Sequence, residues 1–127
     1  KFIAKGLKEG VYGIEMLKKL SEYAISFNYH NKATGDYACN MRMFESTGMG
    51  CCLLTDHKSD IRTLFEPDHE ILTYKCADEA VSKAKFLIAN PMEAKKIARA
   101  GQKRTFRQHT TENQVEHLVD YLNSLNN

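Results

Sequence analysis

The chain alternates between two spacings of apolar residues, one typical of helices and one typical of strands. Ile14, Leu17 and Leu20 recur every three residues within 12–22, which predicts an amphipathic helix. The next residues, 23–29, run apolar or alternate with polar residues, and this predicts a strand. The sequence therefore opens with a helix that leads directly into a strand.

Two further apolar runs predict buried strands. Residues 51–55 hold an apolar core between Gly50 and Asp56, and 70–74 form another short run that is rich in β-branched and aromatic residues. Apolar runs of this length, bounded by turn residues, are typical of strands that helices cover on both faces. We therefore expect these strands to pair in a parallel sheet.

Capping residues and helical spacing predict a helix after each strand and further helices towards the C-terminus. The predicted helices start at the capping residue Asn40, cover about 61–65 and 78–89, run from Pro91 to about Gly101, and start again at Thr111. The last one is a clean amphipathic helix in which only 124–127 are expected to fray. The turn Gly48-Met49-Gly50 is interpreted as a helix stop.

Helices and strands that alternate in this way predict an α/β fold, because parallel strands need long crossover connections. We expect a three-layer Rossmann-like domain with a small parallel sheet, formed by residues 1–127 as one domain. Three strands are few for this class, so an early strand near 2–4 or sequence upstream is expected to supply more. Because the first residue is Lys1 rather than Met, we expect the chain to be part of a longer polypeptide.

Composition and charge narrow the class of protein. With 43% hydrophobic and 27% charged residues, the chain has the composition of a globular domain. Its apolar runs are far shorter than the roughly 20 residues that cross a bilayer. The net charge of +2 is too small to indicate nucleic acid as a partner. The four cysteines lack CxxC spacing, which favours reduced thiols and a cytoplasmic setting.

One segment is strongly basic. Between 83 and 107, eight basic residues accompany the single acid Glu93: Lys83, Lys85, Lys95, Lys96, Arg99, Lys103, Arg104 and Arg107. Two interpretations are open at this point. The segment is either a surface for phosphates or an anionic membrane, or the solvated face of paired helices.

Ligands of open parallel sheets bind beyond the carboxyl ends of the strands, where helix N-termini present unpaired N–H groups. The predicted crevice therefore contains the residues that follow each strand, together with the start of the helix at Asn40. The residues that follow the strands are His30, Asn31, Thr55, Asp56, His57 and Tyr74 to Cys76.

The start of the helix at Asn40 offers the most chemistry in this crevice. The backbone N–H groups of about Met41 to Phe44 are placed to hold a phosphate, and Arg42 adds a permanent charge. Glu45, one turn further, is placed to accept hydrogen bonds from two hydroxyls of a ribose or sugar. In the alternative interpretation, which the spacing alone favours, Arg42 and Glu45 form a surface ion pair with no chemical role.

The sequence contains no motif for a metal site, a catalytic nucleophile or a nucleotide cofactor. The five histidines lack an HExxH or CxxC companion, so we predict no metal site. Ser46 and the cysteines lack a GxSxG elbow or a base partner, which argues against nucleophilic catalysis. Neither GxGxxG nor GxxxxGK[ST] occurs, and no cofactor is predicted.

The most specific motif is NMRMFESTGMG at 40–50, followed by LLTD at 53–56 and LFEP at 64–67. Looser matches are YGIEM at 12–16, FNYH at 27–30, EI at 70–71 with Tyr74, IARAGQ at 97–102 and HT at 109–110. Together they resemble the donor-binding half of group 1 glycosyltransferases with the GT-B fold, in the branch that includes spore-maturation CgeB-like proteins.

This resemblance implies an enzyme that transfers a glycosyl group from a nucleotide-diphosphate sugar to an acceptor hydroxyl. The chain resembles the C-terminal, donor-binding domain, and an N-terminal domain would hold the acceptor. Arg42 and Glu45 are the implied catalytic residues: Arg42 would neutralise the leaving diphosphate and Glu45 would face the ribose. The implied substrate-binding residues are His30, Asn40, Met41, Met43, Phe44, Thr55 and Asp56.

The chain departs from the family pattern at Tyr37, which stands where the family has a glutamate that faces the transferred sugar. We expect this fragment by itself to be inactive or nearly so. An alternative from another class is a non-catalytic α/β module that binds some other phosphorylated ligand in the same crevice. For the full-length protein, peripheral association with a membrane is a further expectation.

Overall fold

The computed structural model describes residues 10–38 and 40–125, and this part has the predicted α/β architecture. The helices are α1 (Gly13–Glu22), α2 (Arg42–Gly48), α3 (Ile61–Leu64), α4 (Ala77–Ala89), α5 (Pro91–Gln108) and α6 (Thr111–Leu125). The strands are β1 (Ile25–Asn28), β2 (Cys52–Asp56) and β3 (Leu72–Tyr74). A short 3-10 helix, Lys32–Thr34, follows β1.

The strands form a parallel sheet in the order β1-β2-β3, so β2 is the central strand. Ile25 of β1 pairs with Cys52, and Leu54 pairs with Leu72 of β3. Since all strands run the same way, their carboxyl ends meet at one edge of the sheet.

Helices cover both faces of this sheet. On one face, Leu54 packs in a core with Leu87 of α4 and Ile97 of α5. On the other face, Leu53 packs with Met43 of α2. The adjacent residues Leu53 and Leu54 of β2 therefore pack in cores on opposite faces of the sheet, because the side chains of a strand alternate between its two faces. The predicted three-layer α/β fold is confirmed.

Helix α5 is longer than predicted, because it runs through Gly101 to Gln108. A Cβ on Gly101 would clash with the backbone oxygen of Glu70, so this glycine allows close packing rather than ending the helix. Beyond it, the hydroxyl of Thr105 lies 2.6 Å from that of Thr47 in α2, and both side chains are buried. The last turns of α5 are therefore fixed by contact with α2.

Asn40 is not the capping residue that the sequence predicted. Helix α2 begins at Arg42, its N-cap is Met41, and no side chain caps it. Asn40 Nδ2 instead donates a hydrogen bond to Asn28 Oδ1 at 3.0 Å. The Asn40 side chain therefore bonds to the end of β1, and it does not cap α2 as the local sequence predicts.

The remaining boundaries differ by a few residues. The strands predicted over 23–29 and 70–74 are shortened to Ile25–Asn28 and Leu72–Tyr74, since only these residues pair with β2 in the ladder. Helix α2 ends at Gly48, and Gly50 has a φ of 83°, as a helix stop followed by a turn requires. The strand predicted near 2–4 lies outside the described residues.

Helix α6 has the predicted amphipathic pattern, but none of its residues is buried. Its apolar side chains are exposed: Val115, Leu118, Val119, Tyr121, Leu122 and Leu125. Ser124 and Leu125 remain helical, contrary to the predicted fraying at these two residues. Within 10–38 and 40–125, no helix is long and apolar enough to cross a membrane.

Candidate functional site

A cavity of about 740 Å³ lies at the carboxyl ends of the three strands, against the first half of α4. Its lining residues come from the ends of β1, β2 and β3 and from α4: Phe27, Tyr29, Asp56, His57, Tyr74, Lys75, Cys76, Ala77, Ala80, Val81 and Ala84. Asp56, His57 and the segment from Tyr74 to Cys76 belong to the crevice that the sequence predicted. The structure therefore brings the ends of β2 and β3 together as expected.

Two aromatic rings form a wall of this cavity. Phe27 of β1 and Tyr74 of β3 stack with ring centroids 5.3 Å apart and an interplanar angle of 9°. The Tyr74 hydroxyl donates a hydrogen bond of 2.8 Å to the backbone oxygen of Asn28, so the ring spans the end of β2. Burial, together with the charge of Asp56 and the nearby Tyr29, raises the pKa of Tyr74 to about 12. Tyr74 is therefore a fixed, neutral hydrogen-bond donor.

Asp56 is the charged group beside this wall. Its Oδ1 accepts hydrogen bonds from the backbone N–H of His30 at 2.9 Å and from His30 Nδ1 at 2.7 Å. Lys58 Nζ lies 3.6 Å from Oδ2. Burial raises the pKa of Asp56, but the hydrogen bonds and charge of His30 and the charge of Lys58 outweigh it, so the pKa is lower than usual. The carboxylate is ionised at neutral pH.

His30 lies beneath this carboxylate and not in the open cavity. Its side chain is fully buried, with Nδ1 bonded to Asp56 and Nε2 at 3.2 Å from Met43 Sδ. Both ring nitrogens therefore have protein partners. The side chains of Met43 and Thr55 are buried as well. These three predicted substrate-binding side chains lie under the surface, where they position Asp56 and α2.

A chain of amides and hydroxyls continues from Asp56 to the start of α2. Thr55 Oγ1 accepts a hydrogen bond of 2.9 Å from Asn28 Nδ2, and Asn28 Oδ1 accepts one from Asn40. Asn40 Oδ1 is buried and has no hydrogen-bond partner in the described part of the chain. Buried polar atoms without a partner are uncommon. Asn40 therefore has an unused acceptor next to the amino end of α2.

The predicted catalytic pair lies on the first turn of α2. Arg42 Nε is 3.5 Å from Glu45 Oε2, and the side chains are 39% and 26% exposed. The surface ion pair that the spacing favoured is thus present. Of the neighbouring predicted residues, Met41 is exposed, whereas the ring of Phe44 packs against Phe65.

Within 10–38 and 40–125, the thiols and metal-ligating groups form no separate site. Among the described residues, no three His, Cys, Asp or Glu side chains are grouped to hold a metal ion. Cys51 and Cys52 are buried, and burial raises the pKa of both thiols, that of Cys52 to about 12. Cys76 is exposed at the cavity.

Sequence reasoning missed the aromatic wall. Phe27 was interpreted only as part of an apolar strand, and its contact with Tyr74 joins residues that are far apart in the chain. It also missed the hydrogen bonds of Asp56 with His30, although both residues had been placed in the crevice. Their positions at the ends of neighbouring parallel strands were the available signal for this pair.

Comparison with known proteins identifies the family. The sequence model of the glycosyl transferase-like family matches residues 5–120, which is nearly the whole chain. Neither the curated proteins nor the solved structures contain a match. The matched segment contains β1–β3, α1–α5 and the cavity at the carboxyl edge of the sheet. The chain belongs to the glycosyl transferase-like family.

Proposed function

We propose that this chain is the donor-binding domain of a glycosyltransferase and holds a nucleotide-diphosphate sugar at the carboxyl edge of the sheet. The observation that carries this proposal is the cavity of about 740 Å³, in which an aromatic wall stands beside an ionised carboxylate. Pockets for small ligands are commonly about 300–1,000 Å³ and largely apolar, with a few polar groups that fix orientation.

The aromatic wall suits a flat ring. The side chain of Phe27 is 61% exposed, so one surface of the Phe27–Tyr74 stack is free to contact a base. Asp56 Oδ2 is 3.6 Å from the Lys58 ammonium and keeps its capacity to accept a hydrogen bond from a ligand N–H or hydroxyl. A nucleoside offers both the flat ring and the donor groups.

In this proposal, the start of α2 holds the diphosphate. Arg42 supplies a permanent positive charge there, and Glu45 accepts hydrogen bonds from ribose hydroxyls. The hydrogen bond between Asn40 and Asn28 supports this placement, because it ties the start of α2 to the strand end beside the cavity. The ion pair of Arg42 with Glu45 keeps the two side chains side by side at this position.

In the proposed reaction, positive groups at the start of α2 stabilise the leaving diphosphate. Glycosyl transfer breaks the bond between the sugar and the diphosphate and forms a bond from the sugar to the acceptor oxygen, which loses its proton. Negative charge grows on the leaving diphosphate. Arg42 and the N–H groups at the start of α2 would stabilise this charge without a covalent intermediate. We assign the chain to the GT-B enzymes and their CgeB-like branch, in which a second domain holds the acceptor. By itself, the chain would bind the donor without transferring the sugar.

We also propose a cytoplasmic setting for this domain. It is supported by the free thiols of Cys51, Cys52 and Cys76, since secreted domains tend to pair their cysteines.

Calorimetric titration of the chain with UDP, GDP and their sugars tests donor binding. We expect saturable binding of at least one nucleotide, weakened at least about tenfold by Arg42→Ala, Glu45→Ala or Asp56→Asn, because each removes a charged group from the proposed site. Arg62→Ala and Glu66→Ala are matched controls, because they remove another exposed arginine–glutamate pair, 2.6 Å apart, from the end of α3.

Unchanged affinity in Arg42→Ala and Glu45→Ala would remove these two residues from the site. Loss of binding in Asp56→Asn alone would confine the ligand to the aromatic cavity. If pyrophosphate or a sugar phosphate binds as tightly as the nucleotides, the chain is a module for phosphorylated ligands in general, and the donor-binding role is wrong.

A further inference from the structure

Helix α5 has an outward face of unusual composition. Seven of its side chains point away from both cores and are exposed: Met92, Lys95, Lys96, Arg99, Lys103, Phe106 and Arg107. We call this set the α5 outer face. Its five charged members are all cations, whereas the whole chain has a net charge of only +2.

Most of these cations have no partner. Lys96 Nζ lies 3.2 Å from Glu93 Oε1 at the rim of the face. Lys95, Arg99, Lys103 and Arg107 form no ion pair and no side-chain hydrogen bond within the ranges that the structure describes. By contrast, Lys83 on α4 is paired with Glu79 at 2.9 Å. The α5 outer face is therefore a concentrated, uncompensated positive surface.

Two large apolar side chains lie among these cations. Met92 is 78% exposed and Phe106 is 63% exposed. They are fourteen residues apart, so about 21 Å of helix axis separates them, and the helical period places them on the same side. The α5 outer face therefore carries a large exposed apolar side chain near each of its ends, among the cations.

We propose that the α5 outer face docks on the surface of an anionic lipid bilayer, with Met92 and Phe106 inserted between the headgroups. Charge complementarity favours this occupant, because basic side chains are attracted to anionic lipid headgroups. The exposed apolar side chains favour it over heparin or a nucleic-acid duplex, because neither presents an apolar layer in which Met92 and Phe106 could be buried. Two cavities lie beside the face: Lys95 and Arg99 help to line one, and Lys103 and Arg107 line the other together with Glu70.

Co-sedimentation of the 127-residue chain with vesicles tests the proposal. One set contains phosphatidylcholine alone, and the other contains about one third phosphatidylserine. We expect binding to the anionic vesicles only. Raising the salt from about 0.1 M to about 1 M, which shortens the Debye length from about 10 Å to about 3 Å, should release the chain.

A charge-matched pair of variants locates the surface. Arg99→Glu with Lys103→Glu should weaken binding on the order of 30-fold or more, since each basic residue near such a membrane accounts for about fivefold. Lys18→Glu with Lys32→Glu makes the same change in net charge at exposed residues outside α5 and should leave binding nearly intact. Equal loss in the two double variants would overturn the proposal, as would equal binding to neutral vesicles.

Phe106→Ser separates a bilayer from a polyanion. It keeps every charge and lies on the exposed side of α5, so thermal melting should be little changed. We expect it to weaken vesicle binding at least about threefold, because the buried ring is lost. If Phe106→Ser has no effect and heparin binds the chain better than the vesicles do, the face is a polyanion site and the bilayer proposal is wrong.

Discussion

The middle of the sheet and its carboxyl edge are built from different kinds of buried residue. In the middle, Cys52, Leu53 and Leu54 are almost fully buried and contact apolar side chains from both helical layers. At the edge, the buried residues include Asn28 and His30, which are joined by hydrogen bonds to their neighbours. The same three strands thus pass from an apolar core into a polar network within one or two residues.

Apolar and polar buried residues contribute differently to the free energy of folding. Apolar burial is favourable without any partner of fixed geometry. A buried polar group is tolerated only where hydrogen bonds replace those it made with water, and its net gain is small. A polar network at the carboxyl edge therefore adds less to folding than the core does, but it fixes the orientation of Asp56 and of the start of α2.

The comparison predicts its largest effect in the middle of the sheet. Leu53→Ala should lower the free energy of unfolding by about 2–5 kcal/mol, because it leaves a cavity in a core that does not collapse fully. Urea denaturation measures this change. Leu118→Ala, on the exposed face of α6, is the control and should change stability by less than about 0.5 kcal/mol. Similar values for both variants would contradict the assignment of the core.

At the edge, Asp56→Asn should cost less than Leu53→Ala. We expect a loss of about 1.5–3 kcal/mol, the usual range for hydrogen bonds to a charged group, because the donors of His30 lose an ionised acceptor. Asp68→Asn removes a more exposed carboxylate near Lys83 and serves as the control in the same denaturation series. A loss in Asp56→Asn above that in Leu53→Ala would reverse the proposed division between core and edge.

The charge of Asp56 also gives the edge a pH dependence that the core lacks. Its pKa is lowered in the folded protein, so the stabilisation is present above the unfolded pKa of about 3.9 and is lost as pH falls through the folded value. The difference in unfolding free energy between the unmodified chain and Asp56→Asn should therefore be present at about pH 5 and shrink as the pH falls below about pH 4. A difference that persists unchanged to about pH 2 would show that the charge has no part in it.

The smallest effect is expected where two helices meet through a neutral hydrogen bond. Thr105→Val should cost about 1 kcal/mol, because the hydroxyl of Thr47 loses one partner but still donates to the backbone oxygen of Met43. Ser82→Ala removes an exposed hydroxyl that bonds to Asp78, and it should be nearly neutral. Thermal melting of both variants checks the ranking. A larger loss in Ser82→Ala would contradict it.

Much of the candidate site could be placed from the sequence, because the ends of parallel strands share one edge. Asp56 follows a strongly apolar run, and this position alone put it in the crevice. The depth of each side chain could not be predicted in the same way. His30 lies just past the end of β1 and Thr55 lies within β2 next to its last residue, yet both are buried, because their partners come from other elements.

The sequence by itself determined the order and kind of the elements and the three-layer architecture, because the periods of 2 and 3.6 residues that separate strands from helices are local properties of the chain. Only the tertiary structure decided that α5 continues past Gly101, that Asn40 bonds to β1, and that Phe27 stacks on Tyr74. Each of these features depends on contacts between residues that are distant in sequence, and a local sequence pattern does not determine such contacts.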